Sequence, residues 1–205
     1  MTLAWFERWA GVLGGAAAVL VLAGLWLFFQ EREDYEQRDL RGRTQLIVAA
    51  EEGDLERVEY LLEQNVRVDA GDDCQWTAMM RAAAGGHSDI LVRLLDQGAD
   101  INHREKSGYT ALMGAAVNNR LETAQILVER GADLDIQETE SGQTALMWGV
   151  RNRNPDMVRL LLSAGADTSL TNRQGQSVRD LALQASAGEP SARLEEIREV
   201  LGCQP

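Results

Sequence analysis

The sequence has 205 residues, with 20 basic and 32 acidic side chains and a formal net charge of −12. A chain this acidic repels phosphate backbones, which argues against nucleic-acid binding. Its length allows one domain of ordinary size and one additional segment.

The first predicted element is an apolar segment, residues 10–29, that contains neither a charged residue nor a proline. Twenty helical residues extend about 30 Å, the thickness of the hydrocarbon core of a bilayer. Trp5 and Trp9 flank one end and Trp26 lies near the other, as in an aromatic belt. We therefore predict one transmembrane helix over residues 10–29, preceded by an N-terminal tail, residues 1–9. A cleaved signal peptide is the competing interpretation, although no small-residue cleavage site follows the segment.

Gly11 and Gly15 give the predicted membrane helix a small-residue face that permits close helix packing. A homodimer through this face stays open, because small residues are common in membrane helices generally. More arginines follow the segment than precede it, which favours a single-pass protein of the cell (inner) membrane with its repeats in the cytoplasm. Interleaved acidic residues leave a periplasmic placement open. Residues 30–41 are charged and are predicted to form a juxtamembrane helix or linker.

Residues 42–188 contain a repeated pattern with spacings of 33, 33, 34 and 33 residues between Thr44, Thr77, Thr110, Thr144 and Ser177. Each Thr opens a block such as Thr-Ala-Leu-Met-Gly-Ala-Ala at residues 110–116, and a leucine-rich block follows. The pattern resembles the ankyrin repeat. This resemblance implies an all-α repeat solenoid of about five helix-turn-helix repeats that are joined by β-turn fingers, the last repeat acting as a cap.

Each repeated residue has a predicted physical role. The Thr hydroxyl caps the first helix of a repeat, the paired alanines allow close packing of neighbouring first helices, and the leucines of the second helix form the buried stripe. Three departures stand out: methionine replaces the family's histidine, Gln75 replaces a turn glycine, and one residue is inserted between Asp133 and Thr144. Residues 189–205 are predicted to form a C-terminal capping helix that begins at Ser191, followed by a tail.

Residues that could carry chemistry are few. His87 lies at the family's Gly-His position, where a structural role is expected, and His103 lies in a finger without other ligands at metal-binding spacing. Cys74 and Cys203 lie far apart, so one disulfide or two free thiols stay open. We therefore predict no enzyme activity, no catalytic residue, no metal and no cofactor.

In ankyrin solenoids the fingertips and the exposed positions of the first helices form a concave face, on which a partner is expected to bind. The fingertip positions before each Thr are Arg43, Trp76, Tyr109 and Gln143. Tryptophan, tyrosine and arginine are enriched at binding hot spots. The predicted partner-binding residues are Trp76, Arg81, Tyr109, Trp148 and Arg151. The alternative is that Trp76 or Trp148 packs against its neighbouring repeat.

Three functional hypotheses fit this sequence. The first is a membrane-tethered protein–protein interaction module, a scaffold or adaptor whose protein partner is unidentified. The second is an immunity protein that inhibits a toxin or enzyme at the membrane. Some bacterial membrane-anchored ankyrin-repeat proteins, which this chain resembles, are thought to act in this way or in oxidative-stress defence. The third, an enzyme, has no supporting motif.

Overall fold

A computed structural model describes residues 35–185 and 192–202, and this part of the chain contains five successive helix pairs. The first helices of the pairs are α1 (Gln45–Glu52), α3 (Ala78–Gly85), α5 (Ala111–Val117), α7 (Ala145–Arg151) and α9 (Val178–Ala185). The second helices are α2 (Leu55–Glu63), α4 (Ser88–Asp96), α6 (Leu121–Glu129), α8 (Pro155–Ser163) and α10 (Ala192–Val200). The predicted all-α repeat solenoid is confirmed.

The helices stack in two layers. Each first helix packs against the first helix of the next repeat, and each second helix does the same in its own layer. The paired alanines of α1, α3 and α5 are buried, which lets these helices approach closely. One leucine of each of the first four second helices is fully buried: Leu61, Leu94, Leu127 and Leu161. Burying one leucine contributes about 1.5–3 kcal/mol to folding, so these positions form the continuous core.

The predicted threonine caps are present in the first four repeats. The side-chain oxygen of each cap accepts a hydrogen bond from the backbone N–H three residues later, at 3.3 Å. The capping residues are Thr44, Thr77, Thr110 and Thr144. Each cap satisfies a backbone donor that the first turn of a helix leaves unpaired.

The fingers, residues 39–43, 72–76, 105–109, 138–143 and 172–176, are held together by one acceptor side chain each. These side chains accept backbone N–H groups of their own finger, and they are Asp39, Asp72, Glu105, Glu138 and Asn172. Neighbouring fingers are joined by one main-chain hydrogen bond at each junction, such as Lys106 N–H to the Cys74 carbonyl at 3.0 Å. The fingers therefore form a hydrogen-bonded ribbon across all four repeat junctions of the described residues.

The fourth finger, residues 138–143, accommodates the inserted residue. Glu138 uses both carboxylate oxygens: Oε2 accepts the Glu140 amide at 2.6 Å, and Oε1 accepts the Gln143 amide at 2.9 Å. The ladder bonds on either side of the insertion, from Thr139 N–H to the Ser107 carbonyl and from Arg173 N–H to the Ser141 carbonyl, are retained. The extra residue therefore lengthens the fingertip without changing the stacking of the helices.

The repeat domain begins earlier than predicted. The compact unit spans Glu36–Pro205, whereas the sequence suggested a boundary at residue 42. Residues 35–41 form turns and irregular chain, so this described part of the predicted juxtamembrane helix or linker is not helical. Glu36 accepts the Arg67 amide at 2.8 Å, and Arg38 donates to the Gly42 and Gly71 carbonyls at 2.6 Å each. These bonds to residues 42, 67 and 71 hold the segment in a non-helical conformation.

The C-terminal prediction is partly covered by the described residues. Helix α10 packs against α8 and α9, where it buries Leu194 and Ile197, so it completes a fifth repeat. An ion pair of 2.7 Å between Arg159 and Glu196 joins α10 to α8. The predicted cap, Ser191, lies outside the described residues.

No helix within residues 35–185 and 192–202 is long and apolar enough to cross a membrane. The predicted transmembrane helix, residues 10–29, lies outside the described residues, as do the N-terminal tail and the packing residues Gly11 and Gly15. These expectations stay predictions.

Gln75 occupies the turn position that glycine fills in the other fingers, and its φ is +70°. A non-glycine residue in this left-handed region costs about 1 kcal/mol or more. We expect Gln75→Gly to raise the free energy of unfolding of the full-length chain by about 0.5–1 kcal/mol, measured by urea denaturation. The reverse change, Gly175→Gln at φ +73° with open space around the position, should lower it by a similar amount. Unchanged stability in both variants would contradict this account.

Candidate functional site

The first cluster on the concave face is centred on Arg81, which extends from α3. Its guanidinium lies 4.7 Å from the ring centre of Trp76. It is also bound to two carboxylates, at 2.9 Å from Asp72 and 3.7 Å from Glu51. Because Asp72 is buried and Glu51 belongs to the preceding repeat, Arg81 joins the second finger to the first repeat. Two of the predicted binding residues, Trp76 and Arg81, are therefore brought together.

A second cluster, which we call the aromatic cluster, consists of Tyr109, Trp148 and Arg151. The Tyr109 and Trp148 ring centres are 5.9 Å apart, with their planes tilted by 43°. The Arg151 guanidinium lies 5.1 Å from the Trp148 ring centre. Arrangements of this kind stabilise an aromatic pair by about 0.5–1.5 kcal/mol beyond area burial. The remaining three predicted binding residues thus form one contiguous surface across the third and fourth repeats.

Tyr109 stays protonated at neutral pH. Burial, together with the nearby charges of Glu138, Glu140 and Glu105, raises the pKa of its hydroxyl to about 12, while Arg151 acts in the opposite direction. The phenol is therefore a neutral group, able to donate one hydrogen bond from a half-buried position.

The two tryptophans are half-buried, so both contact their own repeats and keep part of their rings exposed. Packing against a neighbouring repeat, the alternative raised by the sequence, is seen for Trp148, whose ring contacts Tyr109 of the preceding repeat, while the ring of Trp76 contacts Arg81 of its own repeat. The indole Nε1 of Trp148 is buried and has no hydrogen-bond acceptor among the described residues. Burying such a donor without a partner costs about 1–3 kcal/mol, so Trp148 is not an optimal choice for stability alone.

Gln143 does not occupy the exposed fingertip position that the sequence suggested. Its exposed fraction is 1%, whereas the equivalent Trp76 and Tyr109 are half-buried. The inserted residue lengthens this finger, and the Gln143 side chain donates a hydrogen bond to the Ser141 hydroxyl at 3.0 Å. The sequence contained the insertion, but its effect on one side chain depends on how the finger folds.

The floor of the concave face between the two clusters carries small and neutral residues. These are Ala84 and Gly85 at the end of α3, and Gly114 and Val117 on α5. No large side chain stands in the row between Arg81 and Trp148, because Gly114 occupies the intervening position. Gly114 is buried, so the accessible part of the floor is formed by the half-buried Ala84, Gly85 and Val117.

The histidines contact main-chain carbonyls. The Nε2 of His87 lies 3.3 Å from the Glu51 carbonyl oxygen, and the Nε2 of His103 lies 3.0 Å from that of Gln75. The structural role expected for His87 is confirmed, since its ring fills the space beside Gly53 and Gly85. Within the described residues, no group of three or more His, Cys, Asp or Glu side chains could hold a metal ion.

Five stacked helix pairs with a hydrogen-bonded ribbon of fingers define a repeat solenoid that presents one extended face. A family model described as ankyrin repeats (3 copies) matches residues 19–105 and residues 80–172. The chain belongs to the ankyrin-repeat family, as its repeated pattern predicted. Ankyrin-repeat proteins are generally non-catalytic scaffolds, and their repeats are protein–protein interaction modules. No curated protein matches the chain at a significant level.

Proposed function

We propose that this chain is a membrane-tethered adaptor that binds a partner protein through the concave face. The proposal is supported by the partial exposure of Trp76, Tyr109 and Trp148, which the register of the repeats assigns to concave-face positions. Large aromatic side chains with partial exposure supply binding energy when a partner covers them. Each is also held in place by a neighbouring group, so little side-chain entropy is lost on binding.

The binding face is tested with a double variant of the full-length chain, Trp76→Ala together with Trp148→Ala. We expect it to lose the partners that co-purify with the wild-type chain, because its two largest exposed aromatic surfaces are gone. Tyr60→Ala is the matched control, since Tyr60 is an exposed aromatic residue on α2 with Arg57 5.2 Å from its ring centre. Circular dichroism would show whether each variant is folded. Equal recovery of every partner by the double variant would overturn the proposed face.

The tether is a separate part of the proposal, and its support is the apolar segment of residues 10–29. We expect the full-length chain to remain in the membrane fraction at alkaline pH, and a chain lacking residues 1–30 to leave it. Reporter fusions at the C-terminus, active on only one side of the membrane, would determine the side that the repeats face. Release of the full-length chain by alkali would contradict the tether.

The inhibitor role is a narrower form of the same proposal. It predicts that the captured partner is an enzyme or toxin whose activity falls when the wild-type chain is added. The Trp76→Ala/Trp148→Ala variant should then fail to inhibit it. A partner whose activity does not change would leave an adaptor role.

A further inference from the structure

The arginines of the concave face differ in whether the fold already supplies them with a counter-charge. Arg43 is paired with Asp39 and Glu51, and Arg81 is paired with Glu51 and Asp72. Arg151 is exposed and forms no ion pair within residues 35–185 and 192–202. Of these three cations, Arg151 is therefore the one whose charge is available to another molecule.

The position of Arg151 is nevertheless defined. Its guanidinium lies over the Trp148 ring at 5.1 Å, and a guanidinium stacked on a ring keeps N–H donors along its edge. The carboxylates of the nearby fingers have other partners: Glu105 and Glu138 accept the amides of their own fingers, and Glu140 accepts the Ser107 hydroxyl at 3.3 Å. Arg151 thus presents a cation that is held in place and whose N–H edge suits a carboxylate.

An apolar surface adjoins this cation. The Trp148 ring is half-buried, Val117 of α5 is half-buried in the preceding repeat, and Gly114 adds no side chain between the repeats. At the other end of the face, Glu52 is exposed, so a negative charge lies in the first repeat and a positive charge in the fourth. An acidic group is therefore favoured beside the unpaired Arg151, and it is disfavoured beside Glu52 and beside the finger carboxylates near Tyr109.

We propose that the aromatic cluster binds an acidic side chain of the partner protein that is adjacent to an apolar side chain. The carboxylate pairs with Arg151, and the apolar side chain packs on Trp148 and Val117. This inference rests on the proposed function, since it names the chemistry that the concave face recognises. The net charge of −12 repels a strongly acidic partner, so the acidic residue is expected within a neutral or basic protein.

The test uses short random peptides displayed on phage, selected against the full-length wild-type chain, Arg151→Glu and Arg153→Glu. Arg153 is the matched control, since it is exposed and lies two residues beyond Arg151. We expect peptides selected on the wild-type chain and on Arg153→Glu to carry Asp or Glu beside Leu, Phe or Trp. Those selected on Arg151→Glu should carry Lys or Arg instead. The best acidic peptide should bind Arg151→Glu at least about tenfold more weakly than the wild-type chain.

Each outcome separates this inference from the proposed function. Peptides that require Trp148 but show no acidic preference would overturn the inference and leave the concave-face proposal standing. Peptides with the same composition on the wild-type chain and on Arg151→Glu would also overturn it. If the wild-type chain enriches no peptide, or none that Trp148→Ala weakens, both proposals fail.

Discussion

Replacing Asp72 with alanine is expected to lower the free energy of unfolding by about 2–4 kcal/mol. Its Oδ1 accepts the Cys74 and Trp76 amides, and its Oδ2 accepts an N–H of Arg81, each at 2.9 Å. Because the carboxylate is only 5% exposed, water would not readily replace it. Alanine would therefore leave these donors without a hydrogen-bond acceptor. The partial exposure of Arg81 keeps the expected loss below that of a fully buried pair. Urea denaturation of the full-length chain, followed by circular dichroism, measures it.

Two further variants separate the contribution of the Asp72 charge from that of its hydrogen bonds to the amides of the finger. Asp73→Ala changes the neighbouring exposed carboxylate and should alter stability by less than about 0.5 kcal/mol. Asp72→Asn keeps an oxygen for the finger amides but loses the charge that pairs with Arg81, so an intermediate loss is expected. If Asp72→Ala unfolds at the same urea concentration as Asp73→Ala, the finger acceptor does not stabilise the fold as described.

Glu138→Gln is expected to lower stability by about 2 kcal/mol at neutral pH, because hydrogen bonds to a charged acceptor become bonds to a neutral one. Burial raises the pKa of the Glu138 carboxyl, but hydrogen bonds from Gln143, Ser141 and Glu140 outweigh it and leave the pKa below its ordinary value of 4.5. A carboxyl group with a lowered folded-state pKa stabilises the fold fully above the ordinary value. The contribution is lost as the pH falls through 4.5 towards the lower folded-state pKa.

The pH dependence of the stability difference tests whether the charge of Glu138 causes it. The difference in stability between the wild-type chain and Glu138→Gln should be constant between about pH 6 and 8 and shrink below the ordinary pKa. Glu140→Gln, a change of an exposed carboxylate in the same finger, should show no comparable difference at any pH. A difference that persists unchanged at acidic pH would mean that the effect is steric and does not depend on the charge.

Much of the fold could be predicted because it depends on short-range chemistry repeated at a fixed spacing. The Thr110 hydroxyl caps the helix that starts one residue later, and Ala115 and Ala116 are buried wherever that helix stacks. The finger acceptors were also visible in principle, since an Asp, Glu or Asn stands five or six residues before each Thr or Ser of the pattern. They were missed because single polar residues in turns look like ordinary surface positions.

The candidate site was predicted less completely, because its contacts cross repeat boundaries. Trp76, Tyr109 and Trp148 were chosen from their position in the repeat; in the structure Tyr109 contacts Trp148 across a repeat boundary, and Trp76 contacts Arg81 of its own repeat. Arg81 is paired with Asp72 of its own finger at 2.9 Å and with Glu51 of the preceding repeat at 3.7 Å, whereas Arg151 forms no ion pair within the described residues. Spacing alone indicates which positions share a face, but it does not indicate which charges on that face are already paired.

The ribbon of fingers has a consequence for how the molecule can change over evolutionary time. Each junction needs only one main-chain amide, one carbonyl and an acceptor side chain, all supplied by the repeat itself. Duplication of a whole unit would therefore add a junction that already fits its neighbours on both sides. The fourth finger shows that a fingertip can accommodate one extra residue when both oxygens of its carboxylate, Glu138, accept backbone amides of the finger. The proposed binding face can therefore be lengthened by the addition of whole repeats. It can also be varied at the fingertips without a change in the helices.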